Sequence, residues 1–257
     1  MLMSVRGLGR AKQGSRMQGA DGAPFANDML AALPRKECRS LLAGLEPVAL
    51  TFGEVLYEPG DRIRHVYFPN DSLVSLLTLV DAHLALEVGM VGHEGMLGLP
   101  LALGQHLSPV RALVQGGGTA MRIKAADFSK EILKCPSLQE EINRYTFALM
   151  AQVTQTAACN RFHVVEARLA RWLLMTRDRV RSEEFRLTHE FLGHMLGVRR
   201  VGVTKAARAL QKAKLIRYSR GKIVILNSRG LEAASCSCYE IVKDMHNGRN
   251  GHNGARA

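Results

Sequence analysis

Apolar residues recur at every second position in several short runs between residues 47 and 124. The runs comprise Val48, Leu50 and Phe52; Val55 and Tyr57; Val66 and Phe68; Leu84, Leu86 and Val88; and Val110, Ala112 and Val114. Segments rich in Gly, Pro, Asn and Asp separate several of them, as at residues 58–61 and 69–71. Alternation between such turn signals predicts many short antiparallel strands, arranged as a sandwich or barrel.

The chain follows a helical period on both sides of this region. Residues 28–45 predict two short helices, because Pro34 interrupts the pattern, and residues 125–181 are predicted to be mostly helical. Within residues 138–156 one helix face carries Leu138, Ile142, Tyr145, Leu149, Val153 and Thr156. This spacing indicates an apolar stripe. We interpret the stripe as a subunit interface in preference to packing on the chain's own sheet.

Two short helical patterns in residues 188–212 meet at Gly197. Glycine tolerates the positive φ that the joint of a helix-turn-helix needs. Apolar residues of the two patterns are spaced to pack together, with Phe191, Leu192, Met195 and Val198 against Val203, Ala207 and Leu210. Two predicted strands follow, over residues 215–218 and 222–226, and form a wing. The second helix, over residues 199–212, would then lie in the major groove of DNA.

Positive charge is concentrated on the same segment. Residues 186–229 hold eleven Lys or Arg and one acidic residue, Glu190, which leaves +10 of the chain's total +12. A basic surface of this size indicates a polyanionic partner, here double-stranded DNA. Residues 1–27 are basic and poor in large apolar side chains, so we predict a disordered tail there. We also predict a flexible tail over residues 236–257.

The cysteine content and the apolar runs indicate a cellular compartment. The chain has five cysteines without the spacing of a disulfide framework: Cys38, Cys135, Cys159, Cys236 and Cys238. This pattern favours a reducing cytoplasm. Cys236 and Cys238, with His246 beyond them, are too sparse for a zinc site, so we predict no bound metal. No apolar run approaches the ~20 residues that span a bilayer, and we expect no secretory signal and no membrane contact.

The order of these elements resembles the Crp/Fnr family of bacterial transcription regulators. The similarity covers about residues 28–235 and is carried by Phe-Gly-Glu-Val-Leu-Tyr-Glu-Pro-Gly at 52–60, Arg-Leu-Ala-Arg-Trp-Leu-Leu at 168–174, and residues 187–200. It implies an α+β fold: an antiparallel β-roll of the cyclic-nucleotide-binding type over 28–131, a dimerisation helix over 132–160, and a winged helix-turn-helix over 161–235. It also implies a homodimer on a pseudo-palindromic operator, with RNA polymerase as a partner.

The candidate DNA contacts come partly from the residues and partly from this resemblance. The resemblance places Arg199, Arg200, Val201 and Lys205 toward bases or flanking phosphates, and the charge pattern adds Gly202, Thr204 and Arg208, with Arg217, Arg220 and Lys222 on the wing. Arginine makes the commonest bidentate contact with guanine. The family often has an acidic residue where this chain has Val201. We therefore do not assume that this chain binds the DNA half-site sequence typical of the family.

The sensor half departs from the family's cyclic-nucleotide cassette. Met96 or Leu97 stands where a ribose-binding Glu is expected, and Arg111 is followed directly by Ala112 without an intervening hydroxyl. We therefore do not expect cyclic AMP. The residues His93, Glu94 and Arg111 could instead hold another anionic effector. A structural turn and an exposed arginine are the alternative, which we favour.

Some relatives in the family carry an iron–sulfur cluster or haem as the cofactor of the sensor half. Only Cys38 lies near the N-terminus, so we expect no iron–sulfur cluster. For haem the sequence does not place an axial ligand among the candidate histidines His65, His83, His93 and His106.

Enzymatic activity is not expected. His189 and His194 are five residues apart and diverge by about 140° around a helix, whereas the zinc-protease motif needs a spacing of four. Neither a serine-nucleophile motif nor a phosphate-binding loop is present. Two alternatives to a transcription regulator remain: a ligand-binding module that regulates protein partners, and a metal-dependent hydrolase.

Overall fold

The computed structural model describes residues 25–80 and 85–251. Most of the predicted N-terminal tail, and also His83, lie outside the described residues. The N-terminal half contains helices α1 (Asp28–Ala32), α2 (Arg39–Ala43) and α3 (Leu99–Ala102), with strands β1 (Glu46–Leu50), β2 (Val55–Tyr57), β3 (His65–Pro69), β4 (Leu73–Leu79), β5 (Ala85–Val91), β6 (Arg111–Gly116) and β7 (Gly118–Lys124).

The C-terminal half is mainly helical. It contains α4 (Ala125–Glu131), α5 (Pro136–Phe162), α6 (Val165–Val180), α7 (His189–Leu196), α8 (Arg200–Lys212), α9 (Ser228–Ala234) and α10 (Cys238–Gly251), with strands β8 (Glu184–Arg186), β9 (Ile216–Ser219) and β10 (Lys222–Ile225). Within the described residues no helix is both long and apolar enough to cross a membrane.

The predicted antiparallel β-roll is present as two facing sheets without a closed barrel. One sheet has the strand order β1-β7-β3 and the other β2-β6-β4-β5, and the strand pairs are antiparallel. Strand β4 was missed by the alternation pattern. Val74 points into the core between the sheets, whereas Leu73 and Leu77 pack against the C-terminal half. A strand buried on both faces shows no alternation.

The packing of helix α5 differs from the predicted subunit interface. Leu138, Ile142 and Tyr145 are fully buried in the core of the chain's own β-roll. The prediction that the stripe faces a second subunit is therefore wrong at these positions, and the alternative of packing on the chain's own sheet holds. The spacing of apolar residues is the same for packing on a sheet and for packing on a second subunit, because a helix presents one apolar face in either arrangement.

The predicted flexible tail over residues 236–257 is wrong for residues 238–251, whereas residues 252–257 lie outside the described residues. Residues 238–251 form helix α10, which packs along α5 and α6. Tyr239 and Val242 join the core of the C-terminal half, and the Tyr239 hydroxyl donates a hydrogen bond to Asp178 Oδ2 at 2.8 Å. These two buried apolar contacts on one face of the helix offset part of the cost of ordering the segment.

The cysteines also depart from the expectation. Cys38 and Cys135 are joined by a disulfide across 97 residues of sequence. The pair connects the start of α2 to the residue that precedes α5, where both side chains are buried in the β-roll core. Spacing along the sequence does not show this pair, since the β-roll lies between its members.

Candidate nucleic-acid interface

Helix α8 has one apolar face and one basic face. Val203, Ala206, Ala207 and Leu210 are buried in the C-terminal core. The residues predicted to contact DNA lie on the other side: Arg199, Arg200, Val201, Lys205 and Arg208 are exposed, and Gly202 and Thr204 are half-buried. A helix held by one face and basic on the other has the arrangement of a major-groove recognition helix.

Local signals in the sequence set the turn that precedes α8. The Thr188 side chain accepts a hydrogen bond from the Phe191 N–H and caps α7. Gly197 ends α7 at φ 60°, in the left-handed region, and the Val198 N–H then bonds to the Gly193 carbonyl at 2.9 Å. This glycine-ended cap satisfies the last carbonyls of α7 and redirects the chain into α8. The predicted hinge is confirmed.

Thr204 forms hydrogen bonds inside the winged unit, by which we mean the segment from α6 to α9 with strands β8, β9 and β10. Its hydroxyl lies 3.0 Å from the Arg200 carbonyl oxygen and 3.0 Å from His189 Nδ1. The His189 ring stacks on Tyr218 of β9 with centroids 4.4 Å apart. Burial, together with the charges of Arg200 and Arg208, lowers the pKa of His189 below its usual value. A neutral His189 therefore braces α7 against α8 and the wing.

The sequence does not predict this brace, because no local pattern pairs His189 with Tyr218 or with Thr204. From the sequence alone His189 stands out only as a possible metal ligand. Among the described residues His189 and His194 do not converge, because His189 is turned toward Thr204 and His194 is exposed.

The wing is a three-stranded sheet of order β8-β10-β9. The chain turns between β9 and β10 at Arg220 and Gly221, both with positive φ. Arg217 and Arg220 are exposed on it. Lys222, the third predicted phosphate contact, instead places Nζ 2.6 Å from Glu184 of β8. This ion pair offsets part of the lysine charge at the DNA-facing surface.

The winged unit packs on the outer face of the β-roll through buried polar contacts. Glu87 of β5 accepts hydrogen bonds from Ser75 Oγ at 2.6 Å and from the indole N–H of Trp172 at 2.8 Å. Burial raises the pKa of Glu87 to about 7, although both hydrogen bonds act to lower it. A carboxyl with this pKa changes protonation near neutral pH at the junction between the two halves.

A buried ion pair lies beside this carboxyl. Arg179 Nε of α6 is 2.7 Å from Glu94 Oε1, in the loop after β5, and both side chains are almost completely buried. Burial alone raises the pKa of Glu94, but the charges of Arg179 and His246 outweigh it and lower the pKa to about 2. The pair holds α6 to the β-roll.

The three predicted effector residues do not form one site. His93 joins Glu94 at the junction, with Nδ1 3.0 Å from Asp28 and Nε2 3.2 Å from the Asp178 carbonyl oxygen. Burial acts to lower the pKa of His93, but the hydrogen bond to Asp28 and the charge of Glu94 outweigh this effect. The pKa of His93 therefore lies above its usual value. Arg111 lies apart at the start of β6 and bonds to Glu58 at 2.8 Å.

Two features concern the place where an effector could bind: the burial of two cassette positions and the location of a cavity. Met96 and Leu97 are buried in the β-roll core. A cavity of about 220 Å³ lies between the β-roll and the C-terminal helices, with His93, Glu94 and Arg179 in its wall.

Comparisons with known proteins agree with this architecture. Residues 167–234 match the Crp-like helix-turn-helix domain. A search of curated proteins finds no match. Among solved structures, a putative transcriptional regulator of the Crp/Fnr family from Eubacterium rectale is 18% identical, with a TM-score of 0.64, over 81% of this chain and 98% of that one.

Two further structures show the same arrangement. A Crp/Fnr-family transcriptional regulator from Thermus thermophilus is 22% identical, with a TM-score of 0.61, over 74% of this chain and 98% of that one. FixK2 from Bradyrhizobium japonicum is 14% identical, with a TM-score of 0.64, over 75% and 98%. These likenesses show the shared fold, and the domain match covers the recognition unit. The chain therefore carries a Crp-like helix-turn-helix domain over residues 167–234 and has the fold of these Crp/Fnr-family structures.

Proposed function

We propose that the chain acts as a homodimer that recognises a pseudo-palindromic operator with one α8 helix in each half-site. The observation that supports this most is the two-faced α8, with Val203 and Leu210 buried and Arg199, Arg200 and Lys205 exposed. Arginine can read guanine through O6 and N7. Two such helices related by a two-fold axis would reach successive major-groove faces about one helical turn, ~34 Å, apart.

The dimer surface that we propose is the exposed side of α5. Phe147 and Met150 are each 64% exposed, and Val153 is 37% exposed. Phe147 lies on the opposite side of the helix from Ile142 and Tyr145, which the β-roll covers. Met150 and Val153 lie progressively closer to the covered face. Crp/Fnr regulators are typically dimers, and large apolar side chains in one exposed patch favour a protein contact. The proposed interface thus uses α5, but through Phe147 and Met150 beside the predicted stripe, from which Val153 also takes part.

The contacts with DNA divide into three groups. We assign base contact to Arg199, Arg200 and Lys205, with Val201 and Gly202 close to the base edges and Arg208 near the backbone. Arg217 and Arg220 hold phosphates from the wing, which supplies affinity without sequence preference. Thr204 and Lys222 contribute less, because Thr204 is bonded to His189 and Lys222 to Glu184.

We propose that the regulator works in the cytoplasm, contacts RNA polymerase and has no catalytic activity. We place the effector, whose chemistry the chain does not specify, in the cavity beside His93 and Glu94. A ligand there would touch both the β-roll and α6, so it could favour one arrangement of the two halves over another.

Selection from random duplex DNA with the full-length protein tests the proposal. We expect enrichment of an inverted repeat, and a footprint with two half-sites about one helical turn apart. Affinity for the selected site should fall steeply as salt rises, because counterions are released from the phosphates. Failure to enrich any sequence, or a single unpaired half-site, would contradict the proposed mode of binding.

A further inference from the structure

Four potential metal ligands meet where the long helix joins the winged unit. Cys159 and His163 lie one turn apart at the end of α5, and Cys236 and Cys238 lie just before and at the start of α10. Their ligand atoms all lie within 4.8 Å of one another. Cys159 Sγ is 3.5 Å from Cys236 Sγ, and Cys238 Sγ is 3.4 Å from His163 Nδ1. All three thiols are buried.

These separations agree with a single tetrahedral ion. With Zn–S bonds of about 2.3 Å and Zn–N bonds of about 2.0 Å, a tetrahedral zinc site places neighbouring ligand atoms roughly 3.5–3.8 Å apart. An iron–sulfur cluster would need them farther apart, because several iron and sulfide ions lie between the cysteines. Three cysteines and one histidine form one of the common ligand sets of structural zinc sites.

We propose that Cys159, His163, Cys236 and Cys238 bind one Zn²⁺ ion that fastens the winged unit and α10 to the end of α5. Binding releases the three thiol protons to solvent, and neutral His163 supplies Nδ1 without loss of a proton. No electron is transferred. The sequence concealed the site because its two halves are separated by 77 residues between Cys159 and Cys236.

The surroundings of the four ligands suit a thiolate-bound zinc. Three thiolates and Zn²⁺ carry a net charge of −1, and the guanidinium groups of Arg168 and Arg171 interact electrostatically with Cys159. Arg171 is held by Thr156 Oγ1 at 2.9 Å. Gln155 Nε2 donates to Cys238 Sγ at 3.1 Å. Outer groups of this kind orient metal ligands and balance their charge.

The site lies at a joint in the chain. His163 ends α5, and α6, the first helix of the winged unit, begins two residues later. Cys236 lies between α9 and α10, and Cys238 begins α10, at the other end of that unit. A bound ion would therefore fix the winged unit relative to α5 at both ends, which a single α5–α6 connection cannot do.

Metal analysis of the full-length protein, purified with a thiol reductant, tests the proposal. We expect one zinc per chain, and after replacement with Co²⁺ we expect the intense visible bands of tetrahedral cobalt with thiolate-to-cobalt charge transfer in the near ultraviolet. The proposal is overturned by a chain that binds no zinc after reconstitution, by a six-coordinate cobalt spectrum, by iron with acid-labile sulfide, or by a Cys159–Cys236 disulfide that persists under reductant.

Variants locate the ion. Cys236→Ser should lose the zinc, whereas Cys38→Ser, which changes a cysteine in the β-roll, should retain it. Retention of zinc by Cys236→Ser at the affinity of the unaltered chain would overturn the assignment. If Cys236→Ser fails to fold, Gln155→Leu provides the test, because loss of an outer hydrogen bond weakens metal binding by roughly 10–100-fold. An unchanged zinc affinity in Gln155→Leu would contradict Cys238 as a ligand.

Discussion

Trp172 donates its indole N–H to the buried carboxylate of Glu87 across 2.8 Å. The bond joins α6, the first helix of the winged unit, to β5 of the β-roll. Beside it, Arg179 of α6 pairs with Glu94 in the loop after β5. Both contacts connect the β-roll directly to α6, which packs on α8, so a change in the β-roll that alters either contact would act on the helix that supports α8.

Replacing Glu87 by Gln should flatten the pH dependence of stability. Burial raises the pKa of Glu87 from 4.5 to about 7, so the folded chain holds this proton more tightly than the unfolded chain. The contribution of protonated Glu87 to the free energy of unfolding is fully present below pH 4.5 and is lost as pH rises through about 7. At about 1.4 kcal/mol for each pKa unit, the effect reaches about 3 kcal/mol.

Urea unfolding at several pH values measures this effect. The difference in unfolding free energy between Glu87→Gln and the unaltered chain should grow in favour of the variant as pH rises from about 5 to about 8. Glu140→Gln, a change at an exposed glutamate of α5, serves as the control and should leave the dependence unchanged. Parallel curves for Glu87→Gln and the unaltered chain would show that Glu87 does not titrate in this range.

Removing one member of the Glu94–Arg179 pair should be costly. Arg179→Met leaves the Glu94 carboxylate buried without its main counter-charge, and breaking a buried pair in this way costs about 3–5 kcal/mol. The paired change Glu94→Leu with Arg179→Met should cost less than Arg179→Met alone, because no buried charge remains. Chemical denaturation of the three proteins tests this, and equal losses for single and double variants would exclude a strong coupling.

The parts of the fold that the sequence predicted are those with local signals. The Gly197 hinge and the apolar positions of α7 and α8 depend on signals within a few residues, and the structure confirms them. The partner of an apolar face is not a local property, which is why the face of α5 with Ile142 and Tyr145 was assigned to a second subunit.

Contacts between distant segments are also not shown by local sequence patterns. The buried carboxylate of Glu87 and the cluster at Cys159 and Cys236 depend on how α6 and α10 fold back over earlier segments. The basic character of α8 needed no such information, because an exposed helix face shows its charge directly in the sequence.

The wing residues should differ in their effects on DNA binding. Arg220→Asn removes a charge and suits the positive φ at this position. It should weaken binding to all sequences alike and lower the salt slope by about one. Lys222→Gln should have a smaller effect, because Lys222 is already paired with Glu184. Binding isotherms at several salt concentrations compare them, and a larger loss for Lys222→Gln would contradict this assignment.

Charge on the exposed side of α5 should weaken the dimer. Phe147→Lys places an ammonium group in the proposed interface, whereas Leu133→Lys changes another exposed apolar residue, before α5. Sedimentation equilibrium should show more monomer for Phe147→Lys and no change for Leu133→Lys. The same self-association in both variants would place the dimer contact elsewhere on the chain.

Recognition of the operator by α8 is tested most directly by the affinities of the unaltered chain and Arg200→Ala for two duplexes, the selected operator and a scrambled sequence. We expect Arg200→Ala to lose about 1–3 kcal/mol of discrimination for each half-site while remaining dimeric and keeping its affinity for the scrambled duplex within a few-fold. Arg39→Ala, a change at an exposed arginine of α2, should behave as the unaltered chain. An unchanged ratio of the two affinities in Arg200→Ala would contradict α8 as the helix that reads the operator.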